Sequence, residues 1–306
     1  MPKVTVAGAG FVGRTTAMRI AERGIADVCL VDIIENWPQG LALDMRHSAA
    51  IQGFEVGVTG ANDYGPSAGS DVVVVTAGIP RGPGMSRTDL LARNVEIVSG
   101  VAGETARSSP DAVVIVVSNP LDEMTYLTAL RTGFEKKRVM GMAGLLDSAR
   151  LAAYIAEELG VSPLSVEAIT LGSHGDEMVP VTGLARVGGR PLAELVDPEV
   201  LSRIYQRTVN AGAEVVSLLK KGSAFYAPSA AAAKMAEAIL TDSGETIPLS
   251  AWVTGQYGIR DVYLGVPARL GRGGAEEIVE LDLSDDELAR LQTAADSIRQ
   301  RCNSIT

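Results

Sequence analysis

Cysteine and histidine are scarce in this chain, with two of each among 306 residues. Cys29 and Cys302 stand near opposite ends and outside any CxxC spacing, which excludes a disulfide framework and a cysteine-based metal or redox motif. A reducing, cytoplasmic setting is the expectation. Apolar runs fall short of the ~20 residues a membrane helix needs. The opening MPKVTVAGAG is likewise too short and too rich in glycine for a signal segment. Basic charge is also in deficit, 27 Lys and Arg against 37 Asp and Glu, for a formal net charge of −10. That balance disfavours nucleic acid or an anionic membrane as a partner and requires arginines to be gathered locally if a substrate is anionic.

What is present is a large apolar fraction, 46% of residues, enough to bury one large or two closely packed cores. In the first half, short Val/Ile runs (residues 3–7, 28–31, 71–77, 112–118 and 139–142) alternate with helical patterns (12–23, 39–50, 90–107 and 121–132). Near-continuous apolar strands separated by helices predict a Rossmann-type doubly wound parallel sheet covered on both faces, an α/β half. Beyond residue 145 the grammar changes. A helix over 146–159 is followed by paired strands (165–171 and 179–187), helices over 199–221 and 230–240, further strands, and a closing helix that Ser284 and Glu287 start with a capping box. Pro198 suits the first turn of its helix. No repeat, low-complexity tract or flexible linker divides the chain. The reading is therefore a nucleotide-binding unit over residues 1–145 and an α+β substrate unit over 146–306. Sites in such sheets lie beyond the carboxyl ends of the strands.

The first chemical motif, GAGFVG, occupies Gly8, Ala9, Gly10, Phe11, Val12 and Gly13, directly after a strand and at the opening of a helix. Glycines there permit a tight turn and close approach of backbone to a pyrophosphate, and the helix N-terminus attracts its charge. Asp32 ends the second strand, where an acid takes an adenine-ribose hydroxyl and repels a 2′-phosphate, so NAD is favoured over NADP.

Proton chemistry falls to His174, held in GSHGD at residues 172–176, because imidazole exchanges a proton near neutral pH and flanking glycines bring it close to a ligand. The stretch IPRGPGMSR, residues 79–87, has two prolines and two glycines among its nine residues and carries Arg81 and Arg87. It reads as a loop of the kind that serves as a lid. In LDSAR, residues 146–150, Asp147 and Arg150 are three apart at a helix start and share a face. An acid that orients a histidine and an arginine that grips a carboxylate with paired hydrogen bonds are the parts a hydroxy-acid site needs.

Taken together, GAGFVG, VSNP (117–120), MAGLLDSAR (142–150), GSHGDEMVP (172–180) and GSAFYAPSAA (222–231) resemble the lactate/malate dehydrogenase family. Within it, the likeness is to malate dehydrogenases of lactate-dehydrogenase-like type. The resemblance implies cofactor contacts at Asn94, Val117, Ser118 and Asn119, with Asn119 also touching substrate. It further implies that His174 exchanges the hydroxyl proton while a hydride passes to nicotinamide, with Asp147 orienting the imidazole and no metal required. Arg150 would clamp the carboxylate beside the reacting carbon and Arg87 would polarise the carbonyl. Arg81 would select a dicarboxylate, because a closed site penalises an unpaired charge of either sign. Lactate enzymes of the family typically carry glutamine in that region. Gly82, where the malate enzymes commonly carry lysine, is a departure.

The implied reaction is interconversion of malate and oxaloacetate, as in the tricarboxylic acid cycle. The alternatives are a lactate or other 2-hydroxy-acid dehydrogenase, and a non-catalytic NAD-binding regulator. His47, in the helical pattern GLALDMRHSAA with no glycine loop around it, reads as structural. GPSAG at residues 65–69 imitates a nucleophile elbow around Ser67, but it precedes a strand instead of following one, which excludes that role. The likeness also implies a homo-oligomer, a tetramer ahead of a dimer, with the helices near residues 39–50 and 199–219 as candidate interfaces.

Overall fold

The computed structural model describes residues 1–79, 87–220 and 222–305, the side chains of residues 87–89 excepted. The first half runs β1 (Lys3–Ala7), α1 (Phe11–Glu22), β2 (Asp27–Val31), α2 (Trp37–Gln52), β3 (Val58–Ala61), β4 (Val72–Val75), α3 (Arg87–Ser108), β5 (Val113–Val116), α4 (Leu121–Thr132) and β6 (Val139–Gly141). These strands form a parallel sheet in the order β3-β2-β1-β4-β5-β6.

The sequence of the central strands explains why both faces are covered. β4 is VVVV and β5 is VVIV, every residue buried. Val72, Val74 and Ile115 enter one apolar core while Val73, Val75, Val114 and Val116 enter another on the opposite face. Successive side chains of a strand point to opposite faces, so a strand without polar residues must be sandwiched. Burying each such side chain contributes roughly 1.5–3 kcal/mol.

The second half begins with α5 (Gly144–Leu159), β7 (Val166–Glu167), β8 (Thr170–Gly172), β9 (Met178–Pro180), β10 (Arg186–Val187), β11 (Arg190–Pro191) and α6 (Pro198–Leu219). It ends with α7 (Tyr226–Leu240), β12 (Thr246–Thr254), β13 (Arg260–Gly271), β14 (Gly274–Ile278) and α8 (Asp285–Cys302). β12, β13, β8 and β9 extend the main sheet beyond β6 in antiparallel fashion, with Ser250 opposite Gly141, and β14 pairs with β13. β7, β10 and β11 form a separate three-stranded sheet. The halves therefore share one sheet.

Several elements differ from the sequence expectation. Each of the two strands predicted over 165–171 and 179–187 is broken, β7 with β8 and β9 with β10, and the pieces pair in different sheets. The Val181 amide bonds the Ile169 carbonyl at 2.9 Å, and the chain then turns through Thr182–Ala185 to reach β10. β3 escapes the pattern altogether, because VTGA is short and buries only its end residues. Its Gly60 is demanded by α2, since a Cβ there would meet the Pro38 carbonyl oxygen at 2.0 Å. α7 starts four residues before the expected 230, with Pro228 tolerated in the first turn, where the missing amide has no helical partner.

Other expectations hold. The capping box is made, Ser284 Oγ accepting from the Glu287 amide at 3.3 Å and Glu287 Oε2 accepting from the Ser284 amide at 3.0 Å. Pro198 occupies the first turn of α6. Both cysteines are free and buried, and burial pushes the Cys302 thiol up to about 12. Ser67 is 1% exposed and its hydroxyl donates to the Tyr64 carbonyl at 2.6 Å, upstream of β4, so the elbow imitation is inert. His47 lies exposed on α2.

Candidate active site

The glycine turn between β1 and α1 is built for two separate purposes. At Gly8, φ is +104° and a Cβ would stand 2.7 Å from the Ala77 amide nitrogen; at Gly13 a Cβ would stand 1.8 Å from the Gly8 carbonyl oxygen. These two glycines let the helix seat against the strands. Gly10 is different, because a Cβ there would meet nothing within 4 Å. Its bare backbone, at the N-cap of α1, faces open space where a phosphate can approach the helix dipole.

Asp32 follows β2 and closes on this turn. Its Oδ2 accepts the Ala9 amide at 2.6 Å and its Oδ1 accepts the Ile34 amide at 3.0 Å. A carboxylate has lone pairs to spare beyond two such bonds, so it retains capacity for a ribose diol. From α2, Trp37 donates its indole N–H to the Ala9 carbonyl at 3.1 Å. The Arg14 guanidinium lies 4.2 Å from the centre of the Phe11 ring, and that ring lies 5.1 Å from Phe225. Val12 is half-buried and its carbonyl accepts Ser229 Oγ at 2.9 Å, which joins α1 to α7.

Hydrogen bonds link this turn to the neighbouring strand ends. Thr76 Oγ1 donates to the Gly8 carbonyl at 2.9 Å, and Ser118 Oγ donates to the Ala77 carbonyl at 2.6 Å. Val117 and Ser118 are buried, and Asn119 is exposed past the carboxyl end of β5. Asn94 on α3 is 2% exposed. Its Oδ1 accepts the Ile79 amide at 2.9 Å and its Nδ2 donates to the Asn119 carbonyl at 2.7 Å and the Ile79 carbonyl at 3.3 Å. The amide is spent on tying two strand-end loops together. Arg81 lies outside the described residues, as does the side chain of Arg87, the first residue of α3.

His174 sits in the turn between β8 and β9. Its Nδ1 lies 2.8 Å from Asp147 Oδ2, and Arg150 Nη1 donates to Asp147 Oδ1 at 3.2 Å. The carboxylate side chain is only 3% exposed, against 19% for the imidazole and 15% for the guanidinium. An ionised carboxylate accepts only, so Nδ1 carries the proton and Nε2 is the free base in the neutral ring. Burial works to drain the proton from His174. The Asp147 charge and its hydrogen bond outweigh that effect, and Asp122 adds to them against Arg150, so the imidazole stays protonated above its ordinary 6.5.

A third acid, absent from the sequence reading, lies beneath the loop. Asp122 in the first turn of α4 is 2% exposed. Its Oδ2 accepts Ser173 Oγ at 3.0 Å and the His174 amide at 3.3 Å, and its Oδ1 accepts Ser250 Oγ at 2.7 Å. Burial, with the charge of Glu123, raises its pKa to about 6 against the pull of the two hydroxyls. Because α4 begins directly after Asn119 and Pro120, this carboxylate fastens the His174 loop to the carboxyl end of β5. The sequence of α4, LDEMTYLTALRT, is half polar and carries no signal that its first-turn acids are buried. Among the described residues no group of His, Cys, Asp and Glu is arranged to hold a metal ion. No described helix is long and apolar enough to cross a membrane.

A glycine turn with an acid at the next strand end, and an imidazole held by a buried carboxylate that also binds an arginine, define a nucleotide-dependent dehydrogenase architecture. Residues 2–141 match the NAD binding domain of lactate/malate dehydrogenase and residues 145–306 match its alpha/beta C-terminal domain. The chain belongs to the lactate/malate dehydrogenase family. A malate dehydrogenase of Salinibacter ruber is 51% identical over 304 residues, 99% of this chain and 96% of the relative. The solved structure of malate dehydrogenase from that organism aligns with a TM-score of 0.94 over 98% of this chain and 96% of the other, at 49% identity. A lactate dehydrogenase of Cryptosporidium parvum, solved with lactic acid and nicotinamide adenine dinucleotide, aligns with a TM-score of 0.96 at 40% identity, covering 99% of this chain and 98% of its own. Backbone likeness thus extends to enzymes of both substrates.

Proposed function

We propose that this chain is an NAD-dependent malate dehydrogenase that interconverts (S)-malate and oxaloacetate. The observation that carries the reading is the contiguous series Arg150, Asp147, His174, with 3.2 Å and 2.8 Å contacts. The series orients a basic Nε2 and presents a guanidinium beside it. Malate plus NAD⁺ gives oxaloacetate, NADH and a proton. Bound NAD supplies the hydride acceptor, at the turn of Gly8, Ala9, Gly10, Phe11, Val12 and Gly13, with Asp32 on the adenine ribose. His174 takes the hydroxyl proton at Nε2 in oxidation and returns it to the forming hydroxyl in reduction. Asp147 holds the tautomer and stabilises the imidazolium. Arg150 grips the carboxylate next to the reacting carbon, with Asn119, past the carboxyl end of β5, also on the substrate.

Asn94, Val117 and Ser118 shape the strand ends on which the cofactor rests, Asn94 through the two loops it joins. Arg81 is the selector of the second carboxylate and Arg87 polarises the carbonyl. The cofactor unit spans residues 1–145 and the substrate unit 146–306. The reaction fits the tricarboxylic acid cycle in a cytoplasm, and the chain assembles as a homo-oligomer, a tetramer ahead of a dimer. The reading is tested by initial rates of NADH oxidation with oxaloacetate and pyruvate in parallel. A preference for oxaloacetate in kcat/KM that Arg81→Gln abolishes supports it. Preference for pyruvate makes it a lactate enzyme, and NADH binding without turnover of either makes it a regulator.

A further inference from the structure

Helix α8 runs along the β8–β9 hairpin that carries His174 and grips it at intervals. Near its start Glu287 Oε1 accepts the Thr182 amide at 2.9 Å, and Arg290 Nη2 donates to the Met178 carbonyl at 3.3 Å. At its last turn Arg301 does more. Its Nη1 donates to Glu177 Oε2 at 3.0 Å, its Nη2 donates to Ser173 Oγ at 3.2 Å, and its Nε pairs with Glu123. Ser173 and Glu177 flank His174 on either side. Glu123, 3% exposed, adjoins the Asp122 that accepts the His174 amide.

A guanidinium can serve three partners in fixed directions at once, which an ammonium on a flexible stem cannot. Glu123 is buried beside another buried acid and pairs with this guanidinium, and removing one partner of a buried pair is costly. We propose that Arg301 is a positioning residue for the catalytic loop, holding Ser173 and Glu177 against α4 so that the His174 imidazole keeps its bond to Asp147. The proposal rests on His174 as the proton carrier. Among the described residues, the charged groups acting on that imidazole include Asp147 and Arg150 from α5 and Asp122 from α4, with Asp176 in the loop itself and Arg301, Glu123 and Glu177 behind it.

Full-length Arg301→Lys and Arg301→Met are compared with wild type in kcat, KM for oxaloacetate, NADH affinity and an NMR titration of the imidazoles. The chain has two histidines, so His47→Gln assigns the second resonance. In both variants the expected outcome is a loss in kcat of about tenfold or more with KM and NADH affinity changed far less. In Arg301→Lys, which conserves charge, the His174 pKa falls toward 6.5 as its bond to Asp147 loosens. Full rescue of kcat and pKa by lysine overturns the proposal, since charge alone would then suffice. Wild-type behaviour in both variants overturns it as well. If Arg301→Met does not fold, Glu177→Gln, which removes one arm of the fork, takes its place and is expected to act in the same direction. If the wild type does not turn over oxaloacetate, the proposed function fails while the imidazole titration still decides whether Arg301 fixes the ring.

Discussion

Replacing Asp147 with asparagine keeps the shape of the residue that orients His174 and removes its charge. At 2.8 Å from Nδ1, the attraction between carboxylate and imidazolium reaches about 6 kcal/mol for an effective dielectric of about 20. Desolvation of a side chain only 3% exposed offsets part of this. Breaking a buried, hydrogen-bonded pair typically costs 3–5 kcal/mol, roughly 10²- to 10⁴-fold in rate if the loss falls on the transition state. It should fall there, because the charged imidazole develops as the substrate hydroxyl loses its proton. Asparagine can also present its N–H₂ to Nδ1 and stabilise the wrong tautomer. With burial and Arg150 both opposing the proton, the His174 pKa in Asp147→Asn should drop below its wild-type value. Stopped-time assays of malate-dependent NAD⁺ reduction across a pH series, with NADH affinity measured separately, read both effects. Wild-type kcat and an unmoved pH profile in a variant that binds NADH normally would refute the reasoning.

The same titration sets opposite arms for the two directions. With the His174 pKa raised, kcat/KM for oxaloacetate is full at low pH and lost as pH rises through that pKa, whereas kcat/KM for malate climbs through it; parallel arms in steady-state assays would exclude His174 as the shared group. The glycine turn offers a paired test. Gly13→Ala puts a Cβ 1.8 Å from backbone oxygen and should cost about 3 kcal/mol, read as a lowered Tm. Gly10→Ala, open on every side within 4 Å, should leave the Tm of the apo protein in place and weaken NADH; equal Tm losses would show that both glycines serve packing. Asp32→Ser should narrow the preference for NADH over NADPH by about tenfold or more, chiefly in KM, as repulsion of the 2′-phosphate disappears. An unchanged ratio would place the cofactor elsewhere.

The parallel half was legible because its code is local. Runs such as VVVV and VVIV have no polar face, and glycine turns and acids at strand ends recur at fixed offsets. The LDSAR and GSHGD segments likewise announced themselves through short spacing, and the structure joins Asp147, Arg150 and His174. What stayed hidden depends on contacts distant in sequence. Asp122 meets Ser250 across 128 positions and Arg301 meets Ser173 across the same separation. No periodicity encodes such partners. The fate of residues 165–187 was hidden for a related reason, because whether an apolar stretch is one strand or two depends on which sheets its ends join. Asn94 was expected at the cofactor cleft, and its bonds to Ile79 and Asn119, which tie two strand-end loops together, are likewise not carried by residue type alone.

The bond between Asp32 and the Ala9 amide has a kinetic corollary. The acid proposed to discriminate between cofactors is already fastened to the glycine turn, and Trp37 fastens that turn a second time. The entropy of assembling the adenosine half of the cleft is therefore spent during folding, ahead of any encounter. Association should then be a single bimolecular step whose observed rate rises linearly with NADH, without the plateau of a conformational change that must follow or precede capture.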